Sequence, residues 1–164
     1  VSFHHHEVVG ARMTRRRMKA LRYSKKTTED VSRLVLLHMR PHTYEMGWND
    51  SAVRRYVRDA GPLLVDLNEL VRCDVTTRNR RRERTISRRI DELEERIAAL
   101  REKEELDALR PPIDGNQVMA HLGLEPGRQV GELMKMLYER RIEEGPYSDA
   151  EAYAMLDRWA EKHR

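Results

Sequence analysis

Aromatic residues make up only 5% of this 164-residue chain, and Phe3 is its single phenylalanine. A core must therefore come from Leu, Val, Ile, Met and Ala, which favours helices packed on helices. Cys73 is the one cysteine, so an internal disulfide is excluded and a reducing, cytoplasmic setting is expected. No apolar stretch approaches the ~20 residues that cross a bilayer. No signal peptide opens the sequence, so no membrane partner is expected. Strand-like alternation and internal repeats are also missing. The expected fold class is all-α.

Charge is what the chain has in plenty. Charged residues account for 37% and the formal net charge is +4, unevenly spread. Residues 1–82 carry 18 Lys+Arg against 9 Asp+Glu, which is +9, and residues 83–164 carry 14 against 19, which is −5. A basic first half is the electrostatic footprint of a polyanion partner such as nucleic acid. The plainer alternative is a solvated helical surface rich in arginine.

Three stretches are predicted: residues 1–75 as a helical bundle, 76–110 as a long connecting helix, and 111–164 as a small helical tail. Apolar spacing predicts helices over Gly10 to Leu21, from Thr27-Thr28-Glu29-Asp30 onward, over Ser51 to Ala60, and over Leu63 to Asp74. Pro41 to Trp48 reads as a loop. In the long helix Ile86, Ile90, Leu93, Ile97 and Leu100 recur at spacings of 4, 3, 4 and 3, a coiled-coil-like seam. Barely two heptads suit a bridging helix better than a self-associating one, so an oligomer is possible but not favoured. Arg110-Pro111-Pro112 ends this helix. The tail is predicted to hold helices over Asn116 to Leu122, Val130 to Glu144, and from a cap at Ser148 or Asp149 through Trp159.

The chain begins on Val and reaches His4-His5-His6-Glu7 almost at once, leading directly into helical sequence. That continuity argues against a purification tag. A metal site so near a terminus would need partners upstream, so we expect the chain to be the C-terminal portion of something larger. His6, His38 and Asp74 lie on or at the ends of separate predicted helices, where a bundle can build metal sites from facing side chains. For any one of them, a hydrogen-bonded core role is the simpler reading.

The stretches Phe3-His4-His5-His6-Glu7-Val8-Val9-Gly10-Ala11-Arg12-Met13, Leu34-Val35-Leu36-Leu37-His38 and Leu70-Val71-Arg72-Cys73-Asp74 resemble the second half of an HD-type domain. With Asp50-Ser51-Ala52-Val53-Arg54-Arg55-Tyr56-Val57, Asp114-Gly115-Asn116-Gln117-Val118-Met119 and Leu122 to Gly131, the whole chain resembles the body and tail of bacterial CCA-adding enzymes, the tRNA nucleotidyltransferases. The resemblance implies a tRNA partner. It also implies a separate head domain that adds CMP and AMP to tRNA 3′ ends, using Mg2+ with CTP and ATP. Two departures limit this chain. The family's HD dipeptide and preceding His would lie upstream of Val1, leaving His6, His38 and Asp74 as an incomplete metal remnant. The head's paired acidic residues and Gly-Gly turn are absent too, since neither Asp-x-Asp nor Gly-Gly occurs. Two-metal transfer needs such carboxylates, so no catalytic residue is assigned, no cofactor is expected for this chain alone, and it is expected to be inactive by itself.

What remains is binding. Arg15, Arg16, Arg17, Lys25 and Lys26 form one candidate RNA-binding cluster. Arg78, Arg80, Arg81 and Arg82 form another at the start of the long helix, where the helix dipole disfavours cations. Gly127 and Arg128, opening a tail helix, could receive a phosphate on exposed N–H groups. Two competing readings are a fragment of an HD-type metal-dependent phosphohydrolase and a non-enzymatic helical interaction module using the 86–100 seam.

Overall fold

The computed structural model describes residues 5–44, 48–74, 80–104 and 109–163, with Thr43 and residues 80–83 described in their backbone only. Within them lie eight α-helices and two 3-10 turns, and no strand: α1 (His6–Ala20), α2 (Lys25–Leu37), a turn at Arg40–Thr43, α3 (Asp50–Ala60), a turn at Gly61–Leu63, α4 (Leu64–Cys73), α5 (Arg80–Glu104), α6 (Gly115–Leu122), α7 (Arg128–Glu144) and α8 (Asp149–Lys162). No helix among the described residues is long and apolar enough to cross a membrane. Packing groups the chain into two compact units.

The first unit comprises Val1–Asn49 and Tyr56–Ile97. Its buried apolar residues include Leu37, Tyr56, Leu64, Leu67, Val71, Ile90, Leu93 and Ile97. Ile90, Leu93 and Ile97 of the long helix are thus buried within this unit. Polar groups are placed with equal care. Tyr56 donates to Asn68 Oδ1 at 2.6 Å, and Asn68 Nδ2 donates to Glu94 Oε1 at 2.9 Å. Arg72 completes the chain of contacts, reaching Glu94 at 2.6 Å and Asp91 at 2.7 Å. Burial pushes the Tyr56 hydroxyl pKa well above its ordinary value, so it stays a donor.

α1 is the exception in this unit, because none of its residues is buried. It packs on α2, where a methyl added to Gly10 would meet Val35 Cγ1 at 3.2 Å. Ser24 caps α2 by accepting from the Thr27 N–H at 3.0 Å.

The second unit comprises Asp50–Arg55 and Ala98–Arg164. Ile113, Val118, Val130, Leu133, Leu137, Ala152 and Leu156 form its apolar cluster. Asp114 and Gln117 cap α6 reciprocally, and Ser148 and Glu151 do the same for α8. Glycine is demanded at Gly123, where φ is 65° and the chain turns out of α6.

Candidate functional site

The basic surface of the first unit is built on α1. Arg12, Arg15, Arg16, Arg17 and Lys19 are exposed, and none has an acidic partner among the described residues. Glu7 is the only acid on the helix. An open depression along it is lined by Met13, Arg16, Arg17 and Ala20, so apolar surface lies between the cations. Like charges held close without compensation repel one another, and a polyanion relieves that repulsion.

The end of α1 adds a second cost. Arg22 N–H bonds Lys19 O at 3.0 Å and Tyr23 N–H bonds Met18 O at 3.1 Å, the pattern of a Schellman cap. The residue in the left-handed position is Arg22, at φ 60°, where glycine is usual. A cation thus stands where backbone geometry prefers no side chain. Lys25 and Lys26, the other predicted contacts here, differ from the α1 arginines. Lys26 is engaged with Asp30 at 2.6 Å, which raises its pKa by that hydrogen bond, and Lys25 stands 4.0 Å from Glu29.

Of the second predicted cluster, Arg78 lies outside the described residues. Arg80, Arg81 and Arg82 occupy the first turn of α5, with side chains also outside the description. Arg84, one turn on, is exposed. Gly127 and Arg128 open α7, but Arg128 Nε is bonded to Glu132 at 2.8 Å. Gly127 is extended at φ 176°, a conformation any residue adopts, so nothing there calls for glycine.

His6, His38 and Asp74 are brought to one place. The rings of His6 and His38 meet edge-on with centroids 5.4 Å apart, and His38 Nε2 faces Asp74 Oδ2 at 3.7 Å. His38 Nδ1 lies 2.6 Å from Val35 O. A carbonyl only accepts, so Nδ1 carries a proton, and Nε2 is the ring nitrogen that faces Asp74. The arrangement is pairwise, not convergent. Among the described residues no set of three His, Cys, Asp or Glu is placed to hold a metal ion. The residues present do not fit a metal centre by themselves, and no metal chemistry is derived from them.

In the second unit lies a feature the sequence reading passed over. Arg54 on α3, Glu104 at the end of α5 and Arg141 on α7 are all buried. Arg54 grips Glu104 through Nε to Oε2 and Nη2 to Oε1, each 2.8 Å, and Nη1 donates to Ile142 O at 3.0 Å. Arg141 Nη2 donates to Glu104 O at 2.7 Å and Nη1 sits 3.4 Å from Oε2. The Arg54 hydrogen bond holds the Glu104 carboxyl below the usual carboxylate range. The available signal was spacing: Leu133, Leu137 and Arg141 fall at i, i+4, i+8, which puts Arg141 on the buried stripe of α7.

No family model matches this chain. No solved structure matches it. Among known proteins, an A-adding tRNA nucleotidyltransferase of Deinococcus radiodurans is 35% identical over 164 residues, covering 98% of this chain and 36% of that protein. A CC-adding tRNA nucleotidyltransferase of Thermus thermophilus is 32% identical over 157 residues, covering 94% of this chain and 33% of that protein. The chain therefore spans about a third of the length of the relatives it matches. Over nearly all of its own length, this chain is similar to the C-terminal portion of these two tRNA nucleotidyltransferases.

Proposed function

We propose that this chain is the tRNA-holding C-terminal portion of a tRNA nucleotidyltransferase, and that the head which transfers CMP or AMP lies in the two thirds of the relatives it does not match. One observation carries the reading. An A-adding and a CC-adding enzyme match this chain almost equally well, over nearly the same span. A segment common to enzymes that add different nucleotides suits what they share, the tRNA, and not the choice of nucleotide. The basic, unpaired face of α1 supports the same conclusion, since phosphate contacts supply affinity without reading sequence. A-form RNA is recognised mainly by shape and backbone, which fits a protein that must accept every tRNA.

In this reading Arg15, Arg16 and Arg17 contact the phosphodiester backbone, with Arg78, Arg80, Arg81 and Arg82 a second patch of the same kind. Lys25, Lys26 and Arg128 rank lower, because each has an acidic neighbour on its own helix. His6, His38 and Asp74 are the remnant of an HD-type cluster whose other members lie outside this chain. Mg2+, CTP and ATP are assigned to that head in this reading.

The test is a comparison of two RNA hairpins of equal length, one an acceptor–TΨC minihelix and the other an anticodon arm. The 164-residue chain should bind the minihelix more tightly, and minihelices of different sequence alike. Equal affinity for the two hairpins would reduce the interaction to indiscriminate charge and contradict the proposal.

A further inference from the structure

Among the described residues Tyr23 is the one tyrosine or tryptophan that lies exposed, with 54% of its surface open. Its side chain has no hydrogen-bond or ring partner among them. Rings elsewhere are engaged: Trp48 meets Tyr44 edge-on with centroids 5.1 Å apart, Trp159 stacks on His163 at 4.4 Å, and Tyr147 donates to Leu137 O. The corner that carries Tyr23 is tightly held. Four residues, Leu21 to Ser24, join α1 to α2. The Tyr23 N–H closes α1 on Met18 O at 3.1 Å, and the next residue, Ser24, caps α2. Between Leu21, itself 54% exposed, and Tyr23 stands Arg22 in the left-handed region. Such a conformation costs a non-glycine residue free energy, and positions of that kind cluster at functional sites. Charge identifies the partner. Residues 12–26 hold eight Lys and Arg and no Asp or Glu. Lys25 and Lys26 face Glu29 and Asp30 on their own helix, and the other six have no acidic partner among the described residues. A protein partner that buried Leu21 and Tyr23 would also have to answer these cations, whereas RNA brings phosphates and flat bases together.

We infer that Tyr23 is a stacking platform for an unpaired base of the bound RNA, with Arg22 beside it on the adjoining phosphate. An aromatic face accepts any base, so the contact adds affinity without reading sequence. It does require that the base be free of its helix, since bases in a duplex are stacked on one another. The contact therefore separates RNA with an unpaired end or loop from plain duplex, which the arginines of α1 alone do not. The inference rests on the tRNA reading above and deepens it by naming the part of the RNA that this corner takes.

The experiment measures binding of the full chain, Tyr23→Phe, Tyr23→Leu and Arg15→Glu/Arg16→Glu to three RNAs. These are an acceptor–TΨC minihelix with its unpaired 3′ nucleotides, the same minihelix trimmed to a blunt end, and the same stem as a blunt duplex without a loop. Leucine keeps an apolar residue at the end of α1 but has no ring, and a thermal melt checks folding of each protein. Tyr23→Phe should bind the intact minihelix as the unmodified chain does, and Tyr23→Leu about fivefold or more weakly. The slope of log affinity against log salt should stay the same in Tyr23→Leu, because stacking releases no counterion, and fall by about one or more in the Arg15/Arg16 variant. A Tyr23→Leu loss that vanishes on the trimmed minihelix places the base at the 3′ end; one that vanishes only on the duplex places it in the loop. If Tyr23→Leu matches the unmodified chain, or its loss persists on the blunt duplex, the stacking assignment falls and the tRNA reading stands. If the unmodified chain binds no tRNA, both fall together.

Discussion

Arg54 and Glu104, fifty residues apart in sequence, meet in a two-pronged ion pair with both N–O distances at 2.8 Å and almost no solvent access. The same guanidinium donates to Ile142 O near the C-terminal end of α7, so one side chain satisfies a carboxylate and an end-of-helix carbonyl together. Removing one partner of such a pair is costly, because the other charge stays buried. Glu104→Gln removes the buried carboxylate that both guanidinium groups contact, and we predict a loss of about 3–5 kcal/mol in urea unfolding. A loss below about 1 kcal/mol, the range of exposed pairs, would mean the triad is hydrated in solution.

Acid should reveal the same pair. The Glu104 and Glu94 carboxyls are both held below their ordinary range, chiefly by hydrogen bonds from Arg54 and Arg72 respectively. A carboxylate with a depressed folded pKa contributes stability above its unfolded value, about 4.3. That contribution disappears as pH falls through the folded value. Stability should be level near neutrality and fall below about pH 4, and Glu104→Gln should shallow that fall. Glu94 is partly open to solvent, so its share is smaller. An acid limb unchanged by Glu104→Gln would assign the titration to other groups.

Gly145 and Gly131 make a matched pair. Gly145 has φ 95°, and a Cβ there would stand 2.9 Å from Arg54 Nη2. Gly131 lies in α7 with nothing within 4 Å of an added Cβ. Gly145→Ala should cost about 2 kcal/mol or more, from left-handed strain and a displaced guanidinium. Gly131→Ala should add roughly 0.5–1 kcal/mol of stability through helix propensity. Chemical denaturation of both variants checks the pair, and equal effects would contradict this geometry.

Arg22 offers a trade between stability and binding. Its left-handed position at the end of α1 suits glycine. Arg22→Gly should raise stability by about 1 kcal/mol and, if Arg22 serves RNA, weaken tRNA binding. Differential scanning calorimetry and a binding titration on the same preparation read both. A variant both less stable and equally able to bind would remove Arg22 from the account.

Much of this architecture was legible in the chain. The 4-3-4-3 spacing of Ile and Leu located the buried stripe of α5, since a helical period projects onto one face whatever the helix packs against. A cap at Ser148 or Asp149 marked the start of α8, and Ser148 holds that place. Other features were hidden for physical reasons. The start of α2 was placed at Thr27, whereas Ser24 caps it. Lys25 and Lys26 in the first turn oppose the helix dipole and masked the signal, and their pairs with Glu29 and Asp30 compensate in the fold. Pro41 to Trp48 read as loop, although Arg40–Thr43 forms a 3-10 turn, too short to leave a periodic trace. Arg54 and Arg141 were passed over as core residues because charge in a helix ordinarily means surface. The gathering of His6, His38 and Asp74 could be raised from their helices but was favoured only by resemblance, as spacing between separate helices carries no distance.

The most direct test of the account is the affinity of the 164-residue chain for full-length tRNA, measured at a series of salt concentrations. The account predicts binding in dilute buffer that weakens linearly on a log–log scale with added salt. It also predicts a slope cut by about one or more when Arg15, Arg16 and Arg17 are reversed to glutamate. Absence of binding at low salt, or a slope that ignores those three residues, would contradict it.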